Sequence, residues 1–269
     1  MLTVEGVVSP AWIEHADGSR EPLAVGAPVG NGERIETGPG SRVLLRMGEG
    51  SAVKLGEDAR FAAERLQRES RGGSSLWSGS LDVLRGAFRY STALVAGVRA
   101  ERDLTIRVNT LVAGIRGTDV WGKAELARDV VVLIEGRITV KRAGQDVALV
   151  EPRSLVAAPR AGGAPPVTRI SLDELRGLAE QTEMLAGAGG ARLGGRSRVV
   201  VITSVDETYA RSLHARLRES GYPAQLRMLE AEGSPLYQVF LGQLGGEREA
   251  RTLAQRLRAL GYEDARPAR

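Results

Sequence analysis

Residue types that could do acid–base or metal chemistry are few in this sequence. It has two histidines, His15 and His214, and no cysteine, so disulfides, thiolate ligands and a cysteine nucleophile are excluded. The paired carboxylates Glu230 and Glu232 lie beside a turn, without the setting of a general acid. No nucleophile elbow, phosphate-binding loop or metal-ligand spacing occurs. We therefore expect a protein that is not an enzyme, with no catalytic residue, cofactor or metal.

Two further sets of residues could form a site. The segment Gly114–Asp119 could be an active loop, but its glycine spacing favours a tight turn whose Arg and Asp side chains bind buried backbone groups. The tryptophans Trp12, Trp77 and Trp121 could stack on sugars. Because nothing in the sequence places them together, we interpret each as a core or edge residue.

Composition restricts the class of protein. The 269 residues, 42% of them apolar, suit one or two globular domains rather than a disordered chain. No apolar run approaches the length of a membrane span. The net charge of +4 is not concentrated in a basic run, so neither a nucleic-acid tail nor a polybasic membrane patch is expected. Met1 leads directly into a strand-like segment, which predicts either a cytoplasmic protein or an exported one whose leader has been removed.

Residues 1–157 have the pattern of an all-β domain. Short β-branched runs, such as 42–47 and 130–134, alternate with glycine turns. This spacing is typical of a sandwich or a β-coil. The segment Glu57–Gln67 is the main candidate for a helix in this part of the chain.

Residues 158–197 are predicted to be a linker, because they begin with a run rich in Pro, Ala and Gly. A short helix is expected at 171–186, where Ser171 and Glu174 have the spacing of a capping box. The glycine-rich segment Gly187–Gly195 predicts a flexible tether.

Residues 198–269 change to an α+β pattern. The order is βαββαβ, and both amphipathic helices end in Gly-Tyr, which makes the segment a pseudo-repeat. We expect strands at 199–205, 224–229 and 236–241, a short final strand, and helices at 206–219 and 247–260.

This C-terminal segment resembles a SPOR domain, a small module that binds peptidoglycan glycan strands lacking stem peptides. The resemblance covers about 198–264 and implies a small RNP-like βαββαβ fold. It is carried by Tyr237–Gly242, Glu249, Ala250, Leu253, Leu257 and Gly261-Tyr262, and in the first half by Ser204, Ala210, Leu213, Leu217 and Gly221-Tyr222.

The N-terminal part resembles a FecR-like domain, the periplasmic β-domain first known from regulators of sigma factors. Three motifs occur in order, at 32–38, 112–120 and 131–140. The resemblance implies a multidomain protein with an all-β FecR-like domain at 1–157 and a SPOR-like domain at 198–269. The cytoplasmic segment and membrane span of the regulators do not precede the domain in this sequence, so their regulatory role is not carried over with the fold.

In a βαββαβ fold the helices cover one face of the sheet, and alternate strand residues lie on the open face. The residues assigned to the open face are Val199, Val201, Thr203, Gln225, Arg227, Leu229, Leu236, Gln238 and Phe240. Those assigned to the helix side are Leu226, Met228, Val239 and Leu241.

A glycan site is predicted on this open face. The resemblance implies binding at Ser204, Leu236 and Gln238, while Phe240 would supply a stacking surface and Arg227 would donate hydrogen bonds. Where the family has a glutamine on the first strand this chain has Val201, which removes one amide from the groove.

The leading hypothesis is a non-catalytic periplasmic binding protein of the cell envelope. Its SPOR-like domain would bind stem-peptide-poor glycan, for example at the division site, and its FecR-like domain would dock a partner or a wall component. The alternative is an envelope signalling or scaffold protein. In that case the FecR-like domain contacts a sensor or transporter and the SPOR-like sheet is a protein-docking face. Nucleic-acid binding is disfavoured, because the strands lack the paired aromatics of RNP motifs.

Overall fold

The computed structural model describes residues 1–71, 74–92, 101–115, 117–159, 166–230 and 234–268. The strands are β1 (Leu2–Val8), β2 (Ala11–Glu14), β3 (Arg20–Pro22), β4 (Pro28–Val29), β5 (Arg34–Thr37), β6 (Arg42–Met47), β7 (Ala52–Leu55), β8 (Arg60–Arg71), β9 (Ser74–Ser91), β10 (Glu101–Val108), β11 (Leu111–Ile115), β12 (Asp119–Ala124), β13 (Arg128–Glu135), β14 (Ile138–Arg142), β15 (Gln145–Leu149), β16 (Ser154–Pro159), β17 (Val167–Arg169), β18 (Ala191–Arg192), β19 (Ser197–Ser204), β20 (Gln225–Leu229), β21 (Leu236–Leu244) and β22 (Arg266–Ala268). The helices are α1 (Leu172–Glu180), α2 (Glu207–Glu219) and α3 (Glu247–Ala259).

The first part of the chain is mostly β and forms two sheets. One sheet runs β1–β6–β7–β9–β12–β13–β16–β17. The other runs β3–β2–β5–β8–β9–β10–β11–β14–β15. The long strand β9 belongs to both, and Gly86 lies where it crosses over. A Cβ there would come within 2.5 Å of the Ala59 Cα, so this close approach requires glycine.

One aliphatic core lies between these sheets. Its largest fully buried side chains include Phe61, Phe88 and Tyr90, and Val, Leu and Ile supply most of the rest. Strands bury alternate residues, as in β6, where Val43, Leu45 and Met47 point inward. The all-β prediction for this part of the chain therefore agrees with its structure.

The helix predicted at Glu57–Gln67 is wrong, because β8 occupies most of that segment. Its Ala, Glu, Arg and Leu residues favour a helix locally, but β8 pairs with β5 and with β9. A register shift between Glu64 and Gln67, with Arg65 at a φ of +52°, blurs the alternation that would have indicated a strand. Tertiary pairing overrides local propensity here.

The last part of the chain forms a smaller antiparallel sheet in the order β22–β19–β21–β20, with α2 and α3 packed on one face. Each helix contributes apolar residues to a second core, among them Leu213 and Leu217 from α2 and Leu253 and Leu257 from α3. The elements follow in the order strand, helix, strand, strand, helix, strand. This arrangement by itself does not assign the lobe to the SPOR family.

Two assignments to the faces of this sheet are wrong. Val199 and Val201 were expected on the open face, but both are fully buried in the helix-side core. Register shifts beside Val199 and between Val200 and Ile202 change the alternation along β19. Met228 lies on the helix side as expected, because it is paired with Tyr237, but it is 61% exposed.

The predicted flexible tether is also wrong, because Gly187–Gly195 is held in place. Strand β18 within it pairs with β1 on one side and with β21 on the other, so it joins the sandwich to the smaller sheet. Glu249 of α3 accepts hydrogen bonds from the backbone N–H groups of Gly187, Gly189 and Gly190.

The linker helix is shorter than the predicted 171–186. The predicted capping box is present at Ser171 and Glu174, but the helix ends at Glu180. The buried Thr182 turns back to donate a hydrogen bond to the Ala179 carbonyl. Linker residues 160–165 lie outside the described residues, and the domain boundaries at 157 and 198 remain predictions.

Candidate functional site

The FecR-like motifs build the fold rather than a reactive centre. In the first motif, the buried Thr37 hydroxyl donates to the Gly56 carbonyl at 2.7 Å and accepts from the Ala59 N–H at 2.8 Å. Glu33 of the same motif accepts from the Gly30 N–H at 2.6 Å. These bonds satisfy backbone groups at the ends of neighbouring strands, which is a structural task.

The central motif ends in an ion pair, not in backbone contacts as predicted. Asp119 accepts two hydrogen bonds from Arg89, at 2.9 and 2.7 Å. Arg89 also donates to Glu183 at 3.1 Å, and Lys54 donates to both oxygens of Glu183 at 2.5 and 2.7 Å. The pKa of Arg89 is raised. Its hydrogen bond to the Asp119 carboxylate is the main cause, and burial acts in the opposite direction. These ion pairs attach Glu183, which follows α1, to strands β7 and β9 of the first sheet. Arg116 lies outside the described residues.

The histidines have structural partners. His15 Nδ1 lies 2.6 Å from Glu33 Oε1, and its Nε2 lies 3.3 Å from Glu21 Oε1. His214 Nε2 lies 3.0 Å from the Ala224 carbonyl oxygen. Across the described ranges of the chain, no group of three or more His, Asp or Glu side chains has an arrangement suited to a metal ion.

The open face of the smaller sheet carries a hydrogen-bonded row across three strands. Gln238, only 8% exposed, lies at its centre on β21. Its Oε1 accepts from Arg227 Nε at 3.0 Å and Nη2 at 2.6 Å, and its Nε2 donates to Thr203 Oγ1 at 3.1 Å. Thr203 and Arg227 lie directly opposite Gln238 on the flanking strands. Most of the amide's hydrogen-bonding capacity is therefore used within the sheet.

An aromatic ring and two leucines extend this row along β21. The Arg227 guanidinium carbon lies 5.1 Å from the centre of the Phe240 ring, within the range of a cation–π contact. Leu236 and Leu229 are paired across β21 and β20, and both are partly exposed. The face thus combines a fixed cation, a ring and aliphatic surface.

Ser204 is not part of this face. It lies opposite Tyr237, whose hydroxyl donates to Glu207 of α2, so Ser204 is on the helix side. Its hydroxyl oxygen accepts from the N–H of Asp206, the N-cap residue of α2. The structure therefore brings together Arg227, Leu236, Gln238 and Phe240, but not Ser204.

Sequence reasoning placed Thr203 on this face but did not include it in the site. The signal was its period-2 position on β19, and only the strand pairing shows that it binds Gln238. Val201, by contrast, lies in the helix-side core. A side chain at this position does not reach the open face. Val201 therefore contributes nothing to the open face.

The three tryptophans have separate neighbours. Arg20 covers the Trp12 ring at 4.3 Å, and Arg68 lies 5.6 Å from the Trp77 ring. Trp121 is buried on the outer surface of the first sheet. They do not form a common sugar-stacking surface.

The fold is a β-sandwich that carries a small α+β lobe. Residues 33–139 match the family model described as FecR protein, so this part of the chain is a FecR domain. No curated protein matches the chain significantly. None of the helices in the described parts of the chain has the length and apolarity that a membrane crossing needs.

Two solved structures, each described as a proposed anti-sigma factor from Parabacteroides distasonis ATCC 8503, are similar at low identity. The first is 12% identical and covers 53% of this chain and 62% of its own, with a TM-score of 0.41. The second is 11% identical and covers 76% of this chain and 98% of its own, also with a TM-score of 0.41. Similarity at this level carries no functional argument.

Proposed function

We propose that this protein is a non-catalytic signalling or scaffold protein of the bacterial cell envelope, located in the periplasm. Its FecR domain contacts a sensor or transporter, and the open face of the smaller sheet docks a second protein. The family match at 33–139 supports the envelope role, because the FecR-like domain is a periplasmic domain first known from regulators of sigma factors.

The observation that carries the docking role is the internal pairing of Gln238. Sugars are held largely by side-chain hydrogen bonds to hydroxyl groups, yet this amide is already bonded to Arg227 and Thr203. What the face presents is an arginine fixed on Phe240 with Leu229 and Leu236 beside them. Arginine and aromatic side chains in a rigid, partly apolar setting are typical of the energetic centre of protein interfaces.

Site-specific photocrosslinking in the producing cells tests this role. A photoreactive phenylalanine analogue at Phe240 of the full-length protein should give one discrete protein adduct. The same analogue at Tyr209, 49% exposed on α2 of the same lobe, is the matched control and should not give that adduct. Adding Arg227→Ala should remove the adduct from the Phe240 variant. Adducts that contain only muramidase-sensitive glycan would contradict the docking role.

Binding of peptidoglycan glycan is the second candidate function. Arg227 and Phe240 favour it, because a ring beside a hydrogen-bond donor is also suited to a sugar face. Sedimentation with purified sacculi, before and after enzymatic removal of stem peptides, tests it. Glycan binding predicts stronger co-sedimentation with stripped sacculi and its loss in the double variant Arg227→Ala/Phe240→Ala. Equal amounts in the pellet for wild type and variant would exclude this face as a glycan site.

A further inference from the structure

The outer surface of the first sheet carries an apolar patch that is separate from the core between the two sheets. Strands β9, β12, β13 and β16 contribute to it, and α1 lies across it through Leu175 and Leu178. We call this patch the outer cluster; its sheet residues are Ala87, Trp121, Val130, Val132, Ile134, Leu155 and Ala157.

Helix α1 covers the outer cluster incompletely. None of its residues is buried, and Leu172 is 56% exposed. A groove of about 440 Å³ remains between α1 and the strands, with Trp121, Val130, Leu155 and Ala157 among the residues that line it. This volume falls within the range of small-molecule sites.

Trp121 lines this groove, and its indole N–H lacks a hydrogen-bond acceptor in the described part of the chain. The side chain is 1% exposed, and its Nε1–H has no hydrogen-bond acceptor among the described residues. Buried donors are nearly always paired, because leaving one without an acceptor is costly. Because Trp121 lines the groove, a ligand oxygen that reaches Nε1 there would satisfy this donor.

Charged residues of the β12–β13 hairpin also line the groove. Lys123 lies two positions after Trp121 on β12, and Arg128 begins β13. Glu125 lies 3.5 Å from Lys123 and 3.0 Å from Arg128, and accepts a hydrogen bond from the latter. Glu174, on the α1 side, accepts hydrogen bonds from the N–H and hydroxyl of Ser171. A carboxylate that replaced Glu125 as the partner of Lys123 would keep that cation paired.

We propose that this groove binds a linear aliphatic carboxylate. The chain lies on Val130, Leu155 and Ala157, and one carboxylate oxygen accepts the hydrogen bond from Trp121 Nε1. The other oxygen lies near Lys123. No residue of α1 is buried, so an outward shift of the helix to admit the chain would break only the contacts of Leu175 and Leu178 with the cluster.

Calorimetric titration of the full-length protein with dodecanoate, below its micelle concentration, tests the site. We expect 1:1 binding and a rise in Tm with dodecanoate concentration. Trp121→Phe keeps the ring but removes the donor, and should weaken binding about 5- to 10-fold, the effect of one hydrogen bond. Ala157→Phe fills the groove from its floor and should abolish binding even if Trp121→Phe proves unstable. The matched control Trp77→Phe, outside the groove, should bind as wild type does.

Dodecyltrimethylammonium, with the same chain and a cationic head, distinguishes specific binding from general adsorption. Specific binding predicts that it gives no 1:1 isotherm. The proposal is overturned if dodecanoate gives no saturable heat, if Ala157→Phe binds as tightly as wild type, or if the two head groups bind equally well.

Discussion

Gln238 is a single amide that links three strands, and its contribution to stability can be measured. Leucine at this position has a similar size but would leave the Arg227 guanidinium without its acceptor and Thr203 without its donor. Since Arg227 is partly exposed, water replaces some of the loss. Gln238→Leu should therefore lower the free energy of unfolding by about 1–2 kcal/mol in urea titrations. Thr203→Val, which removes only one of these bonds, should cost roughly half as much; equal effects would contradict this account.

His15 makes the stability of the sandwich depend on pH. The hydrogen bond to Glu33 is the main reason why the pKa of His15 is raised above 6.5, with burial opposing it and Glu21 adding to it. A raised folded-state pKa means that this stabilisation is fully present below about pH 6.5 and is lost as the pH rises through the folded-state value.

The pKa of Glu33 changes in the opposite direction. Burial opposes ionisation of Glu33, but the Gly30 N–H and His15 outweigh it, so the pKa lies below its usual 4.5. Its contribution is therefore lost only under more acidic conditions, as the pH falls below about 4.5. The His15–Glu33 contact should stabilise the fold most at about pH 5–6.

His15→Gln should accordingly lower the free energy of unfolding more at pH 5.5 than at pH 8.5. Chemical denaturation at the two pH values measures the difference. Introducing the same substitution into a Glu33→Gln background is the control, and there most of the pH dependence should vanish. A His15→Gln effect that is the same at both pH values would show that the contact does not titrate.

At the scale of elements, the glycine-rich segment shows where composition misleads. A segment with five glycines in nine residues predicts flexibility, but in this chain the glycines have geometric roles. Gly187 and Gly189 have φ values of +86° and +79°, and a Cβ on Gly195 would lie 2.1 Å from the Gln243 carbonyl oxygen. Positive φ and close approach both select glycine. The partner that fixes the segment, Glu249, is about 60 residues away along the chain, so no local pattern could indicate it.

Glu249 should be a major determinant of how the lobes join. Burial alone would raise the pKa of the Glu249 carboxyl. The hydrogen bonds from the N–H groups of Gly187, Gly190 and Gly189, together with the charge of Arg192, outweigh burial, so the net pKa lies below its usual value. Glu249→Gln removes the charge from these bonds and should lower the free energy of unfolding by about 2 kcal/mol. Hydrogen exchange of the three glycine amides should become faster. Glu247→Gln, in the exposed first turn of the same helix, is the matched control and should leave that exchange unchanged.

The alternation of residues along a strand predicts the sheet face correctly only where the strand pairing is regular. On β20 and β21 the alternation placed Arg227, Gln238 and Phe240 on the open face correctly, because the pairing between these strands has no register shift. On β19 the same rule failed, since bulges depend on strand partners rather than on local sequence. Ser204 was misplaced for a related reason: its role in capping α2 becomes visible only once the helix start is known.

At the scale of the whole molecule, two cores are held together by specific contacts. The Ala11 N–H donates to the Gly221 carbonyl at 3.1 Å, and Trp12 Nε1 donates to the Glu219 carbonyl at 3.0 Å. Arg256 of α3 donates to the carbonyl of Ser9 at 3.0 Å. These bonds attach α2 and α3 to the first hairpin of the sandwich. The smaller lobe nevertheless retains a hydrophobic core of its own.

Two fragments of the chain can show how much of the stability of the smaller lobe comes from its own core and how much from the glycine-rich segment. Residues 197–269 contain all the buried residues of the second core, so this fragment should fold and melt cooperatively by circular dichroism. Residues 184–269 add the glycine amides that Glu249 binds, and should be more stable by about 2 kcal/mol. Glu249→Gln should destabilise the longer fragment strongly and the shorter one little, because only the longer one contains the donors.

If 197–269 is disordered while 184–269 folds, the glycine segment is an integral part of the lobe and the predicted boundary at 198 is wrong. If neither folds, the sandwich itself is required, and the chain is a single cooperative unit.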